Sequence, residues 1–337
     1  MIHELQEIIN QAILNQLKGL KNVLATVVHL EGSSYRKPGV RMLISEDLTS
    51  VGAVSGGCVE KEIIHRAKSV FSDNKPKVIT YDGRYRLGCE GILYILIEPF
   101  LISEIFITAF AKAKLNREFI NIKSHFIKED EAFGNFGSVI TFKNKEQFVF
   151  SKLFDKKNNT EIFTQILEPS FKLIIIGGEH DAVKLCKIAA TLGWEVDVIT
   201  SVKDSKQISD FPGVNTVLAE SPETIQFSNI EGNTAIVIMN HSYVQDLKYV
   251  IQLADYTPKY IGILGAPNRR ERLFNELFEF VPNISDKFLD SIYTPAGLHI
   301  GAQTPEEIAL SIVAEILSVI RKKKPFSLRE INGEINI

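Results

Sequence analysis

Apolar residues recur at helical spacing along the first segment of the chain. Leu5, Ile8, Ile9, Ile13, Leu17 and Leu20 form one broad stripe and predict an amphipathic helix. The pattern then changes to β-type runs at 23–30, 40–44 and 50–54, the last two joined by a short polar turn at 45–47. Helical spacing returns over 58–71 through Val59, Ile63, Ala67 and Val70, and strands are predicted at 77–81 and 92–97. A helix follows Pro99 to about residue 114, and 117–152 reads as β-rich with Gly134 and Gly137 at turns. Residues 154–169 open with Lys156, Lys157, Asn158 and Asn159 and end at Pro169, and this stretch reads as a linker.

Beyond it the pattern is different. Apolar runs at 172–176, 195–200, 215–218, 234–239 and 260–264 alternate with helical patterns, the first over 182–192 and closed by Gly193. Strands that are almost wholly apolar and alternate with helices indicate a parallel sheet covered on both faces. The expected class is α/β. An N-terminal mixed α+β domain over 1–165, with its motif core at 22–98, precedes a Rossmann-like doubly wound parallel-sheet domain over 170–325.

Composition narrows the function. Of 337 residues, 45% are hydrophobic and 23% charged, which excludes disordered and collagen-like classes. With 38 basic and 41 acidic residues the formal charge of −3 is too near neutral to indicate nucleic acid as partner. No apolar run reaches the ~20 residues of a membrane span, and the N-terminal segment lacks the continuous apolar core of a signal peptide. Three cysteines do not make a disulfide framework and suit a reducing compartment, so a cytoplasmic location is expected. The charge is uneven: residues 1–165 carry a net +3 and residues 166–337 a net −6. That difference fits two ordinary domains, and it also fits an N-terminal domain that handles an anion.

Two N-terminal segments carry candidate chemistry. Between predicted strands at 31–41 lie Gly32, Ser33, Ser34, Arg36, Lys37, Gly39 and Arg41. Backbone N–H groups, hydroxyls and cations together suit phosphate or another oxyanion, although such a loop can also be a solvated connection. In the second segment a strand ends at Val54, Ser55-Gly56-Gly57 make a turn, and a helix starts at or near Cys58, with Glu60 in its first turn. The free N–H groups there attract negative charge and favour thiolate at Cys58. Cys58 is equally readable as a small inert residue, and Glu60 as a plain first-turn acid. Cys89 lies in a further Gly-rich, cationic loop at 81–91, while Cys186 sits in an apolar helical pattern and reads as core. The cysteine and histidine spacings fit no zinc motif.

In the second half, Gly177, Gly178, Glu179 and His180 stand where a dinucleotide fingerprint would, but Glu179 replaces the glycine that lets backbone approach a pyrophosphate. The acid expected after the second strand is also missing, since Thr200 and Ser201 follow it. His241 follows a third strand, and Arg269, Arg270 and Arg272 open a helix after a fourth, where they can clamp a phosphate or a partner's acids. Thr304-Pro305-Glu306-Glu307 reads as a capping box.

These segments resemble the XdhC/CoxI family. Gly-Ser-Ser-Tyr-Arg-Lys-Pro-Gly at 32–39 and Gly-Ala-Val-Ser-Gly-Gly-Cys-Val-Glu at 52–60 are similar to its N-terminal domain. Tyr-Ile-Gly-Ile-Leu-Gly at 260–265, Arg-Arg-Glu-Arg-Leu at 269–273, Tyr-Thr-Pro-Ala-Gly-Leu at 293–298 and 300–309 are similar to its C-terminal half. The resemblance implies an accessory factor rather than a catalyst. Family members are maturation factors that bind the molybdenum cofactor, protect it during sulfuration and help insert it into hydroxylases such as xanthine dehydrogenase or carbon monoxide dehydrogenase.

On that reading Arg36, Lys37 and Arg41 neutralise the cofactor, Cys58 meets its metal, and Cys89 is the second candidate thiolate. A client hydroxylase, a cysteine desulfurase and a second copy of the chain are the implied partners. The rival is an enzyme, either an NAD(P)-dependent oxidoreductase or a Cys58-based sulfur transferase. The chain departs from the family at Glu179, after the second strand, and at His299, where relatives often have Asp.

Overall fold

The computed structural model describes residues 2–34, 37–85, 91–152, 154, 155, 160–227, 230, 232–266 and 268–330, and of Cys58 and Tyr85 the backbone. The chain divides into two units, Met1–Pro169 and Ser170–Ile337.

The first unit runs α1 (Ile2–Leu17), β1 (Asn22–Glu31), β2 (Arg41–Ser45), β3 (Ser50–Gly52), α2 (Cys58–Asp73), β4 (Lys77–Asp82) and β5 (Ile92–Pro99). It continues with α3 (Glu104–Leu115), β6 (Ile120–Phe126), β7 (Ala132–Phe133), β8 (Gly137–Thr141), β9 (Gln147–Val149) and β10 (Glu161–Leu167). Six strands form an antiparallel sheet in the order β3-β2-β1-β5-β4-β7, and four form a second, β10-β6-β8-β9. The helical spacing of Val59, Ile63, Ala67 and Val70 puts them all on one side of α2, where they cluster with Ala25, Met42, Ile44, Ile95 and Ile97 of the larger sheet. Alternation along the same strands sends Leu24 and Leu43 to the other face, against α1, α3 and Ile122 and Ile140 of the smaller sheet. Each such fully buried aliphatic contributes ~1.5–3 kcal/mol, so both faces of the six-stranded sheet are anchored.

Three local expectations change. Leu17 is 80% exposed, because α1 ends there and Gly19 turns the chain at φ 75°. Gly137 opens β8 rather than a turn. The presumed linker contains β10, which pairs antiparallel with β6 from Glu161 opposite Phe126 to Leu167 opposite Ile120.

The second unit runs β11 (Lys172–Ile176), α4 (His180–Thr191), β12 (Glu195–Thr200), β13 (Thr216–Ala219), β14 (Thr234–Ile238) and α5 (Tyr243–Leu253). It ends with β15 (Tyr260–Ile263), α6 (Arg269–Phe280), α7 (Asp286–Asp290), β16 (Ile292–Tyr293) and α8 (Pro305–Arg321). The strand order is β13-β12-β11-β14-β15-β16 with every pair parallel, so the order reverses between β11 and β14. Ala182, Leu185 and Ala189 of α4 join Ile312, Val313 and Ile316 of α8 in one cluster with the sheet. Leu247 and Val250 of α5 join Leu273 and Leu277 of α6 in the other. Helices on both faces of a parallel sheet make this the expected Rossmann-like, doubly wound arrangement.

Thr304 and Glu307 form the expected capping box, with Pro305 in the first turn of α8. Cys186 is fully buried, and burial pushes its thiol up to about 11, as a core cysteine requires. Among the described residues, no helix is long and apolar enough to cross a membrane.

Candidate functional site

Antiparallel pairing decides where the Gly-rich segments of the first unit lie. β1 ends at Glu31 opposite Ile92, the first residue of β5, and Asp82, the last residue of β4, is also opposite Ile92. β2 begins at Arg41 opposite Thr26, and Gly52 at the end of β3 is opposite Met42. The loop between β1 and β2, the turn between β3 and α2, and the segment between β4 and β5 therefore all open on one end of the six-stranded sheet. Two of them touch: a Cβ on Gly91 would lie 2.4 Å from the Ser33 carbonyl oxygen and 2.8 Å from that of Glu31.

In the first loop Ser33 and Lys37 are exposed and Ser34 is half-buried. Arg41 is different, being only 8% exposed on β2. Its Nη1 donates to the Gly39 carbonyl at 2.9 Å and to Gln165 Oε1 at 2.6 Å, and burial pushes the guanidinium down to about 10. The sequence pattern does not distinguish Arg41 from the exposed Lys37 of the same segment, because a cation at a strand start reads as a loop residue. Arg36 and Cys89 lie outside the described residues.

The second segment has the expected architecture. Helix α2 starts at Cys58 after Gly57, whose φ of 82° supplies a left-handed step and which makes no side-chain cap. Gly56 and Gly57 are exposed, and a Cβ on either would meet nothing within 4 Å. Glu60 is not solvent-facing decoration: its Oε1 accepts the backbone N–H groups of Val54 at 3.1 Å and Ser55 at 2.7 Å. Two donors of the turn are thus satisfied by the chain's own carboxylate, and that charge offsets the positive end of α2. The side chain of Cys58 lies outside the described residues. Among the described residues, no group of three or more His, Cys, Asp and Glu side chains is placed to hold a metal ion.

The second unit gathers its candidates at the carboxyl ends of its parallel strands, where ligands of such sheets sit. Gly177, Gly178 and His180 follow β11, His241 follows β14, and Arg269 and Arg270 follow β15. Gly177 has φ 145°, and a Cβ there would come within 2.8 Å of the Met239 carbonyl, so two backbones meet at the point of strand reversal. The space over Gly178 is taken by Lys206 and Thr200, each 3.3 Å from the Cβ it lacks.

Comparison with known proteins now decides the family. Residues 173–316 match the XdhC Rossmann domain, and residues 16–82 match the XdhC and CoxI family. A probable subunit of the xanthine dehydrogenase of Bacillus subtilis (strain 168) is 31% identical over 320 residues, covering 89% of this chain and 93% of that protein. The chain belongs to the XdhC and CoxI family. The molybdenum cofactor insertion chaperone PaoD of Escherichia coli K12 is 23% identical, covering 93% of this chain and 87% of PaoD. A crystal structure described as a xanthine dehydrogenase from Bacillus halodurans superposes with a TM-score of 0.74 at 28% identity, covering 94% of this chain and 96% of that one.

Within this XdhC/CoxI-family fold the remaining candidates separate by environment. His180, His241 and Arg270 are exposed. Arg269 folds back on its own unit: Nη1 donates to the Leu264 carbonyl and Nη2 to Asp246 Oδ2, both at 3.4 Å, and its guanidinium lies 5.2 Å from the Tyr243 ring centre. Gly265 permits this, since a Cβ there would stand 2.9 Å from the Arg269 side chain.

Asp246 was missed by sequence reasoning because it sits in an amphipathic helix as an ordinary first-turn acid. It is 1% exposed, and burial pushes its carboxyl up to about 6 against the pull of Asn240 and Arg269. Also missed was Glu315, which accepts from Tyr260 Oη at 2.6 Å and from the Gly297 N–H at 2.8 Å. It thereby ties the Tyr-Thr-Pro-Ala-Gly-Leu segment to α8.

Proposed function

We propose that this protein is an accessory factor of xanthine dehydrogenase-type molybdenum hydroxylases. In this reading it binds the molybdenum cofactor as cargo, shields it while its terminal sulfur is installed, and delivers it to the client. The observation that carries the reading is the convergence of three Gly-rich segments on one end of the six-stranded sheet. Family membership and the likeness to PaoD support it.

The cargo is a phosphorylated pterin whose dithiolene holds an oxygen-rich metal, hence an anion with a soft centre. Ser33, Ser34 and Lys37, with Arg36 of the same loop, supply hydroxyls and positive charge. Gly56 and Gly57 leave room for close approach of backbone, and Cys58 supplies the thiolate that suits a soft metal or its sulfur. Cys89 is the alternative thiolate. Gly177, Gly178, His180, His241 and Arg270, at the carboxyl ends of the parallel strands, are the candidate ligand-binding residues of the second unit taken by itself. A cysteine desulfurase as sulfur donor and a homodimer belong to the same proposal, as does a cytoplasmic location.

The test is purification from cells that make molybdenum cofactor, with assays for bound molybdenum and oxidised pterin. Stoichiometric cofactor that is lost in Cys58→Ala is expected. Absence of cofactor together with reproducible NAD(P)H turnover would give the sheet of the second unit an oxidoreductase role instead.

A further inference from the structure

The loop between β1 and β2 is held from behind by one group, Gln165, that no motif contains. Gly39, buried and at φ 101°, donates its N–H to the Val27 carbonyl at 2.8 Å. Its own carbonyl accepts from Arg41 Nη1 at 2.9 Å and from Gln165 Nε2 at 3.3 Å. Arg41 and Gln165 are bonded to each other at 2.6 Å, and both are more than nine-tenths buried. A Cβ on Gly39 would run into the Gln165 amide and displace it, and at φ 101° a side chain there would be strained.

Gln165 belongs to β10 of the smaller sheet, outside the residues that match the family. Arg41 Nε and Nη2 and the neighbouring Thr26 Oγ1 are buried without a hydrogen-bond partner. Across the same interior, Glu98 is fully buried and accepts from the N–H and hydroxyl of Ser138 at 2.9 and 2.6 Å. A guanidinium enclosed this way costs desolvation, which its charge-assisted bonds to Gly39 and Gln165 offset only while the loop root stays in place.

We infer that Arg41 and Gln165 form a latch that fixes the root of the β1–β2 loop, so that Arg41 positions the cofactor loop rather than touching its ligand. The latch rests on the accessory-factor reading for its purpose but not for its existence. Gln165 carries the coupling: it ties the smaller sheet to the loop of the larger one through a single amide.

The test uses the full chain with Gln165→Leu, which removes both bonds, and Gln165→Glu, which keeps the acceptor for Arg41. Hydrogen exchange at the Gly39 amide, which is bonded to the Val27 carbonyl, should accelerate about tenfold or more in Gln165→Leu, the scale of one lost charge-assisted bond. Gln165→Glu should restore most of the protection. Cofactor retained after purification should fall in the same order, while the amides of α2 stay as protected as in the unaltered protein.

Unchanged exchange at Gly39 in folded Gln165→Leu would overturn the latch. Equal cofactor retention in all three proteins would overturn its positioning role. If the unaltered chain holds no cofactor, the accessory reading falls, the positioning role falls with it, and the exchange data alone decide the latch.

Discussion

Glu60 Oε1 accepts the Ser55 N–H at 2.7 Å, closing the turn that leads into α2 with a bond from inside the helix. The same oxygen holds the Val54 N–H, so one carboxylate fixes the approach to Cys58 from two residues. Glu60→Ala should lower stability by roughly 1–3 kcal/mol, the cost of leaving such donors without a charged acceptor. Glu60→Gln keeps the amide oxygen and should lose less than half of that. Urea denaturation of the three proteins measures both.

Gly56 and Gly52 separate a ligand role from a folding role. A Cβ on Gly56 meets nothing, and Gly56→Ala should leave the melting temperature unchanged while reducing cofactor retained on purification. Gly52 has φ 82°, and its Cβ would stand 2.5 Å from the Arg41 carbonyl, so Gly52→Ala should destabilise the fold by more than ~1 kcal/mol. Thermal melts run beside pterin assays distinguish the two outcomes.

Glu98 gives the first unit a pH dependence of defined sign. Burial pushes its carboxyl up to about 7 from an ordinary 4.5, against the Ser138 bonds and the charge of Arg41. The folded state therefore holds a proton that the unfolded chain releases, and the stability this proton supplies is complete below about 4.5 and lost as pH rises through about 7. Glu98→Gln should remove that slope. Denaturation midpoints of the two proteins at several pH values between those limits should converge toward the acid end and separate toward pH 7.

Arg269→Ala should act on unit stability in a way that depends on Asp246. Without the guanidinium the buried carboxylate loses its countercharge, so the variant should be less stable by roughly 1–3 kcal/mol at pH 7.5. Asp246 titrates at about 6 because of burial, so the penalty should shrink at pH 5, where the group carries its proton. Melts at the two pH values provide the comparison, and a penalty equal at both would detach Arg269 from Asp246.

Most strands and helices could be read from periodicity because their buried sides are uninterrupted. Lys172–Ile176 and Glu195–Thr200 match the expected bounds, and the start of α2 at Cys58 followed from the glycines before it. β10 could not be read, since its alternation is inverted: Ile162 and Ile166 are more than half exposed while Gln165 is buried. For the same reason the partnership of Arg41 and Gln165 left no trace in either local pattern. The loops of the candidate site were visible as composition, but their common place at one sheet end is a property of strand pairing. Asp246, Glu98 and Glu315 did not stand out because a helix or strand pattern tolerates one polar residue without revealing which way it turns.

The late arrival of β10 bears on how the two halves can be separated at the bench. A fragment severed in the lysine- and asparagine-rich stretch ahead of Glu161 would strip β6 of one of its two neighbours and bare a ladder of backbone groups from Ile120 to Phe126 on that side. Such a truncation invites self-association that would be mistaken for natural assembly. Scissors placed after Leu167 spare that ladder and keep Gln165 with the half it serves.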